Sequence, residues 1–165
     1  MTIRPARPAD APAIAALLHA AFNGEAEAAL VAALREAGDV AIELVAEAPG
    51  GEVLGHVLFS PMMVGATPAL ALAPLAVVPR AQLKGIGSAL LREGLVRAAA
   101  RPEAWCLVLG EPDYYGRFGF RAALAAQVTG VPWAGHPAFQ ALPLVSGAPP
   151  LNGDARYAPA FGMFG

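Results

Sequence analysis

Hydrophobic and polar positions in the first quarter of the chain predict one strand followed by two helices. The β-prone segment Thr2 to Ala6 comes first, and apolar residues then recur at helical spacing from about Pro8 to Phe22 and from about Glu25 to Ala37. Gly38 follows the second helical pattern directly. Glycine after the last periodic residue is typical of a helix end, so we expect the second helix to stop there.

The next segment predicts an antiparallel meander of three strands. Alternating and β-branched residues run from Val40 to Ala46, and the turn Gly50 to Glu52 leads into the apolar run Val53 to Val64. A third apolar run, Ala69 to Val78, follows after only four residues and ends at Pro79. Connections this short join antiparallel neighbours, because a parallel pair needs a long crossover.

A helical crossover follows the meander. Ile86 begins a pattern of apolar residues on one helix face that continues to about Ala100 through Leu90, Leu91, Leu95 and Ala98. The buried-type strand Trp105 to Leu109 comes next. We expect this strand to lie parallel to the run Ala69 to Val78, because a helix connects the two.

The last third of the chain has weaker patterns. It predicts a short helix from Asp113 to Phe118, a strand that begins at Gly119-Phe120, and a last strand from Ala138 to Val145. The tail from Gly147 is rich in glycine and proline but retains two aromatic residues, Tyr157 and Phe161. We expect it to be an ordered segment packed on the rest of the chain, and we expect residues 1–165 to form one domain.

Composition narrows the classes of protein that remain. A chain of 165 residues with 56% hydrophobic content can bury a substantial core. The formal net charge of −2, without a run of one sign, argues against a nucleic-acid or membrane-surface partner. The sequence has no apolar stretch of about 20 residues and no Cys and His cluster with metal-ligand spacing. It contains a single cysteine. These features predict a cytoplasmic protein without a metal site.

The first segment with chemical information is Leu75 to Ser88, a strand that leads through a glycine-bearing loop into a helix. The first amide groups of a helix have no intrahelical partner and carry the positive end of the helix dipole. Glycines leave the approach to them open, so the loop suits a pyrophosphate. The spacing of Gln82, Gly85 and Gly87 is weak evidence by itself and lacks the third glycine of a dinucleotide fingerprint.

The second such segment is Gly110 to Phe120, which contains the adjacent tyrosines Tyr114 and Tyr115. Paired tyrosines are by themselves ordinary core or surface residues. They carry more information here, since one helix and one strand separate them from the glycine-bearing loop. That order places two chemically distinctive segments at successive connections of the predicted sheet.

Together the two segments resemble the acetyl-CoA-binding motif and the Tyr-x-x-x-Gly-Phe motif of the GNAT N-acetyltransferase superfamily. The resemblance extends to a YhbS-like bacterial subgroup through Gly55 to Pro61, through Tyr114 to Phe120 and through Arg156 to Phe161. It covers nearly the whole chain. It implies the α/β (α+β) fold of that family, a mixed, largely antiparallel sheet with two splayed parallel strands, flanked by helices.

The resemblance also implies a site for acetyl-CoA. Pantetheine would pair with the backbone of Leu75, Ala76 and Val77, where the splayed strands leave peptide groups unpaired. The Val77 amide would face the thioester oxygen, and Tyr115 would protonate the departing thiolate. The remaining residues implied in cofactor binding lie at the pyrophosphate loop: Gln82, Leu83, Lys84, Gly85, Ile86, Gly87 and Ser88. Cys106 is expected to be a packing residue, and Tyr114 a packing residue or a neighbour of pantetheine.

The activity so implied is transfer of an acetyl group to a primary amine by direct attack in a ternary complex, with acetyl-CoA as cosubstrate. The general base remains open among Glu25, Glu27, His56 and water. The acceptor remains open too, between a small-molecule amine and an amine of a peptide or protein, and a homodimer is plausible. The alternative function is a non-catalytic acyl-CoA-binding or sensing module, against which Tyr115 argues.

Overall fold

The computed structural model describes residues 1–164, which form eight strands and four α-helices joined by turns and short 3-10 helices. In chain order these are β1 Thr2–Pro5, α1 Ala11–Phe22, α2 Ala26–Ala37, β2 Ile42–Glu47, β3 Val53–Val64, β4 Thr67–Val77, α3 Ile86–Ala99, β5 Trp105–Leu109, α4 Pro112–Gly116, β6 Val128–Thr129, β7 Phe139–Pro143 and β8 Gly153–Arg156.

The sheet is mixed, as expected. Its strand order is β1-β2-β3-β4-β5-β7, and β8 pairs with both β3 and β6. β4 and β5 are parallel, whereas β1 and β2, β2 and β3, and β5 and β7 are antiparallel. The parallel pair is the one that α3 connects, which confirms the prediction from the helical crossover.

The chain divides into two compact units. The first comprises Met1–Phe59, Ala73–Gly94 and the C-terminal segment from Pro159, and the second comprises Ser60–Leu72 and Leu95–Ala158. In the first unit the C-terminal 3-10 segment packs on α2. The tail is therefore ordered against the protein as far as the structure describes it, as its aromatic residues predicted.

In the first unit, two glycines allow α3 to lie close to β3. A Cβ on Gly55 would lie 2.8 Å from Cδ1 of Leu90 and 3.1 Å from Cγ2 of Ile86, and a Cβ on Gly94 would lie 2.8 Å from Cζ of Phe59. Real side chains do not approach so closely. The absence of a side chain at these positions therefore sets how α3 lies on the strand, and with it where the N-terminus of α3 points.

An ion pair joins β1 to the start of the helical segment in the same unit. The two terminal nitrogens of Arg4 lie 2.8 and 2.9 Å from the carboxylate oxygens of Asp10, which also accepts the amide N–H of Arg7 at 2.7 Å. Residues Pro8–Asp10 form a 3-10 turn before α1 begins at Ala11. The first helix thus starts three residues later than its apolar spacing predicted.

In the second unit, the parallel ladder between β4 and β5 is short. It consists of the pairs Ala69–Trp105, Leu70–Cys106 and Ala71–Leu107. The antiparallel ladder between β5 and β7 extends over all five residues of each strand. Along the described part of the chain, β4 therefore continues to Val77 without further pairing to β5.

The predicted strand at Gly119-Phe120 is wrong. Gly119 has φ of 101°, in the left-handed region that extended strands do not use. The guanidinium of Arg121 donates to the carbonyl oxygens of Gly116 and Phe120 at 2.8 Å each, which closes a turn. One isolated bridge between Arg121 and Ala141 replaces the strand, and a 3-10 helix, Ala122–Ala125, follows.

The prediction that Ala138 to Val145 is the last strand is also wrong. β7 is shorter, Phe139–Pro143, and β8 follows it within the glycine-rich tail. The segment between them is held by Trp105, whose Nε1 donates to the carbonyl oxygen of Pro149 at 2.7 Å. β8 could not be predicted from the sequence, because its four residues, Gly153–Arg156, have no alternating apolar pattern.

Candidate active site

The glycine-bearing loop between β4 and α3 has a strained, exposed backbone. Leu83 has φ of 64° and Gly85 has φ of 83°, and the side chain of Leu83 is fully exposed. A left-handed conformation is costly for a residue with a Cβ such as leucine. The loop accepts that cost while an apolar side chain stays in solvent, which is typical of a backbone shaped for a ligand.

The N-terminus of α3 opens behind this loop. α3 is 14 residues long and begins at Ile86, so the amides of Ile86 and Gly87 have no acceptor within the helix. A Cβ at Gly85 would meet no heavy atom within 4 Å, which means that the approach from that side is open. Lys84 is exposed beside it. The residues therefore fit a group with negative charge, such as a pyrophosphate.

The backbone N–H and C=O of Val77, at the end of β4, point away from β3. The next residue, Val78, donates its N–H to the carbonyl oxygen of Leu54 on β3 at 2.9 Å. In a strand, the N–H and C=O of one residue point to the same side of the strand, and those of the next residue point to the opposite side. The N–H and C=O of Val77 therefore face away from β3. Its carbonyl oxygen accepts Nε2 of Gln82 at 3.0 Å. Gln82 thus braces the turn after β4, and the Val77 N–H faces the side that β3 does not cover.

In the second unit, Tyr115 lies in a slot with aromatic walls. A Cβ on Gly110 would lie 2.9 Å from Cδ2 of Tyr115 and nearer still to Cε2, so the ring lies directly on the Gly110 backbone. The Tyr114 ring stands edge-on at 5.0 Å between centroids, and the Phe120 ring stands edge-on at 5.8 Å. Edge-to-face pairs at these separations are favourable, and they hold the ring in one orientation.

The environment keeps the Tyr115 phenol protonated. Burial raises the pKa of Tyr115 well above its ordinary value, and the nearby Tyr114 and Cys106 groups add to the rise. Cys106 is itself fully buried in β5, and burial raises the pKa of its thiol beyond the ordinary range. A buried thiol without a cationic neighbour stays protonated and is a poor nucleophile, which agrees with the predicted packing role.

A chain of hydrogen-bonded polar groups connects α2, β2 and β3 in the first unit. Nε2 of His56 lies 2.7 Å from Oε2 of Glu43, and Nε of Arg35 donates to Oε1 of Glu43 at 3.0 Å. Burial acts to raise the pKa of Glu43, but the hydrogen bonds from His56 and Arg35 outweigh it and hold that pKa below its ordinary value. Glu43 is therefore an anion.

His56 is fully buried, and its second ring nitrogen has no partner among the described residues. Because Nε2 faces a carboxylate, the neutral ring carries its proton on Nε2 and leaves Nδ1 as an acceptor. Gly55, the preceding residue, faces α3. The side chain of His56 therefore projects from the opposite face of β3.

The other two candidate bases lie at the start of α2. Glu25 is the N-cap residue and makes no capping hydrogen bond through its side chain, and Glu27 lies in the first turn. Glu25 is exposed and Glu27 half-buried. Acidic residues at this position stabilise a helix through its dipole, so both have an adequate structural role without chemistry.

Glu43 takes part in these arrangements, and the sequence patterns did not single it out. The available signal was a polar residue between the apolar residues Ile42 and Leu44 of β2. No group of three or more potential metal ligands occurs in residues 1–164. Over the same range, no helix combines the length and apolar character needed to cross a bilayer.

Comparison with known proteins relates the whole chain to one family. Residues 2–123 match the family model described as an acetyltransferase (GNAT) domain. A curated relative, the uncharacterized N-acetyltransferase YhbS of Escherichia coli strain K12, is 42% identical over 125 residues, which cover 74% of this chain and 75% of that protein. The matched residues of the family model include the glycine-bearing loop and Tyr115.

Two solved structures share the fold over nearly the full length. The crystal structure of the GNAT family N-acetyltransferase YhbS from Escherichia coli in complex with CoA has a TM-score of 0.89 at 36% identity, with 99% of this chain and 93% of that chain covered. A GNAT family acetyltransferase from Brucella melitensis in complex with acetyl-CoA has a TM-score of 0.81 at 36% identity, with 97% of each chain covered.

Proposed function

This chain belongs to the GNAT acetyltransferase family, and from that premise we propose that it transfers an acetyl group from acetyl-CoA to a primary amine of an acceptor. The resemblance seen in its two motifs is thereby confirmed. The observation that carries the proposal is the end of β4, where the Val77 amide faces away from β3 and leads into an open helix N-terminus. We propose further that residues 1–165 act as one catalytic domain.

Binding of the cosubstrate relies mainly on backbone groups. The amides at the start of α3 and the loop around Gly85 would hold the pyrophosphate, and the Lys84 ammonium adds charge. Leu75, Ala76 and Val77 would pair with pantetheine as an added strand. The Gln82 side chain would act indirectly, because it donates a hydrogen bond to the carbonyl oxygen of Val77 and so orients the backbone of that residue.

Acetyl-CoA supplies the activated acetyl group. The Val77 N–H would donate to the carbonyl oxygen as negative charge develops on it, which is the arrangement of an oxyanion hole. The amine attacks directly, because the only cysteine, Cys106, is buried and keeps its proton. No covalent acyl-enzyme is required.

Tyr115 would protonate the departing thiolate. A general acid must hold its proton at working pH, and burial of the phenol ensures this. The slot of Gly110, Tyr114 and Phe120 limits the ring to one orientation, which lowers the entropic cost of the step. Tyr114 acts as a wall of that slot.

For the base we favour His56. Its Nε2 is held by Glu43, and its Nδ1 is a buried acceptor for which the described residues offer no donor. The Glu43 carboxylate would stabilise the imidazolium that forms when the ring takes a proton, as in other carboxylate-histidine pairs. Glu25, Glu27 and water are the alternatives. The acceptor is a small-molecule amine or an amine of a peptide or protein.

Two measurements test the proposal. The first is calorimetric titration with acetyl-CoA, with NADH as a control, and we expect saturable binding of acetyl-CoA only. The second is turnover of an amine panel by wild type, Tyr115→Phe and Tyr114→Phe. We expect Tyr115→Phe to lower kcat by about a hundredfold while acetyl-CoA affinity is retained. Tyr114→Phe keeps the aromatic wall and should stay near wild type.

The alternative, a non-catalytic acyl-CoA-binding or sensing module, predicts a different combination. It would show acetyl-CoA binding without turnover of any amine in the panel. Absence of acetyl-CoA binding at millimolar ligand would contradict both functions. Equal kcat in wild type and Tyr115→Phe would leave the transferase activity standing and remove Tyr115 as its acid.

A further inference from the structure

Gln140 is the one buried amide side chain in β7, and it is 2% exposed. Its neighbours in that strand are apolar, and its partner across the ladder to β5 is Val108. An amide buried among apolar residues is costly unless its hydrogen bonds are made. The cost at this position therefore points to a structural or functional task for the side chain.

The Gln140 amide forms hydrogen bonds with the backbone just beyond the end of the ladder between β5 and β7. Its Nε2 donates to the carbonyl oxygen of Gly110 at 3.2 Å and to that of Ala138 at 3.3 Å. The N–H of Gly110 also donates to the carbonyl of Ala138, at 3.0 Å. One side chain thus fixes both peptide groups beyond the last regular pair of the ladder.

The Tyr115 ring packs directly against the backbone of Gly110. The ring lies so close to Gly110 that any side chain there would collide with it. The N–H of Tyr115 donates to the carbonyl of Glu111 at 3.0 Å, and Glu111, the residue after Gly110, is the N-cap of α4. A change in the Gly110 peptide would therefore move the ring both through direct contact and through the start of the helix.

We propose that Gln140 is a positioning residue for acetyl transfer, which acts by holding the Gly110 backbone on which the Tyr115 ring lies. The inference rests on the proposed function, since it gives Tyr115 the role of general acid. The Gln140 amide donates to the backbone carbonyl oxygens of Gly110 and Ala138, and neither is an atom proposed to react. Its contribution is the orientation of the ring.

The kinetic test is a double-mutant cycle with Gln140→Met, which keeps the size of the side chain and removes both donated bonds. We expect kcat to fall about tenfold in the wild-type background, since small misplacements of a catalytic group are costly. The KM for acetyl-CoA should stay unchanged. In the Tyr115→Phe background the same substitution should lower kcat by less than about twofold. Equal losses in both backgrounds would overturn the proposal.

Two further variants guard against a trivial loss of folding. Gln127→Met removes an exposed glutamine of the same unit and should leave kcat unchanged. Gly110→Ala places a Cβ against the ring and should repeat the kinetic signature of Gln140→Met. Wild-type kcat in Gly110→Ala would contradict the claim that the Gly110 backbone positions the Tyr115 ring.

A spectroscopic measurement keeps the inference separate from the role of Tyr115 in catalysis. The phenolate absorbance of Tyr115 is obtained as the difference between a protein and its Tyr115→Phe version during alkaline titration. In Gln140→Met we expect the midpoint for Tyr115 to fall toward that of an ordinary tyrosine, because a displaced ring gains solvent. An unchanged midpoint would refute positioning by Gln140, whereas unchanged kcat in Tyr115→Phe would refute only the acid role.

Discussion

Nε2 of His56 lies 2.7 Å from a carboxylate oxygen of Glu43, where the His56 side chain is fully buried and Glu43 is half-buried. Arg35 completes the pair by donating to the other oxygen of the same carboxylate. The guanidinium keeps Glu43 ionised, and the carboxylate keeps the His56 proton on Nε2. A neutral histidine held in this way presents Nδ1 as a hydrogen-bond acceptor.

Two substitutions of His56 separate its two nitrogens. In His56→Gln the amide can donate to Glu43 in place of Nε2, but no acceptor remains at the position of Nδ1. We expect this variant to fold like wild type and to lose about tenfold to a hundredfold in kcat/KM for the amine.

His56→Asn is the matched variant, since its amide reaches the position of Nδ1 and not that of Nε2. Glu43 then lacks one buried donor, and we expect the free energy of unfolding to fall by about 1–3 kcal/mol. Denaturant titration of the two variants measures this difference. A His56→Gln enzyme with the wild-type kcat/KM for the amine would assign proton removal to water, Glu25 or Glu27.

The raised pKa of Tyr115 predicts activity that persists into alkaline solution. The phenol keeps its proton above the ordinary tyrosine pKa of about 10, so loss of the acid should not limit kcat below that pH. The same shift adds stability that is present below the pKa of the unfolded tyrosine and is lost as pH rises through the folded one. A profile of kcat against pH checks the first statement. An alkaline fall below about pH 9 that disappears in Tyr115→Phe would contradict it.

Gly85 offers a direct test of the pyrophosphate loop. Both Gly85 and Gly135 have positive φ, 83° and 81°, and neither has a heavy atom within 4 Å of a built Cβ. Alanine at either position should cost about 1 kcal/mol of stability through backbone strain. Only Gly85→Ala should also weaken acetyl-CoA binding, by about fivefold or more, because its backbone adjoins the amides of α3. Calorimetric titration of both variants compares them, and equal affinities would argue against this loop as the anion site.

The pair of Arg4 and Asp10 predicts sensitivity to acid. Hydrogen bonds from the Arg4 guanidinium, with a further one from the Arg7 amide, outweigh burial and hold the pKa of Asp10 well below its ordinary value. The stability that this carboxylate contributes is therefore complete above the unfolded pKa of about 3.9, and it is lost as pH falls below that value. We expect Asp10→Asn to lower the free energy of unfolding at neutral pH by about 1–3 kcal/mol.

Exposed Glu36 provides the control for that experiment. Glu36→Gln should change the free energy of unfolding by no more than about 0.5 kcal/mol, as is usual for exposed surface positions. Thermal midpoints measured from neutral to acid pH should converge for wild type and Asp10→Asn, because both then lack the charge. Curves that stay parallel to the acid end would show that Asp10 contributes through something other than its ionised form.

The sequence by itself determined those elements whose signal is local. β3 at Val53–Val64 and β5 at Trp105–Leu109 have the bounds that the apolar runs predicted, and α2 ends where Gly38 adopts φ of 76°. The glycine-bearing loop and the paired tyrosines were recognisable for the same reason. Periodicity, turn residues and short motifs depend on neighbours in the chain, and so they can be read without a fold.

Tertiary structure alone decided the relationships that depend on register between distant segments. Glu43 reaches His56 because β2 and β3 pair in one particular register, and Gln140 reaches Gly110 because β7 lies beside β5. β8 forms because β3 and β6 offer it edges, not because its own residues favour a strand. A shift of one residue in any of these ladders would turn the side chains to the other face, so these contacts depend on how strands that are distant in the sequence pair.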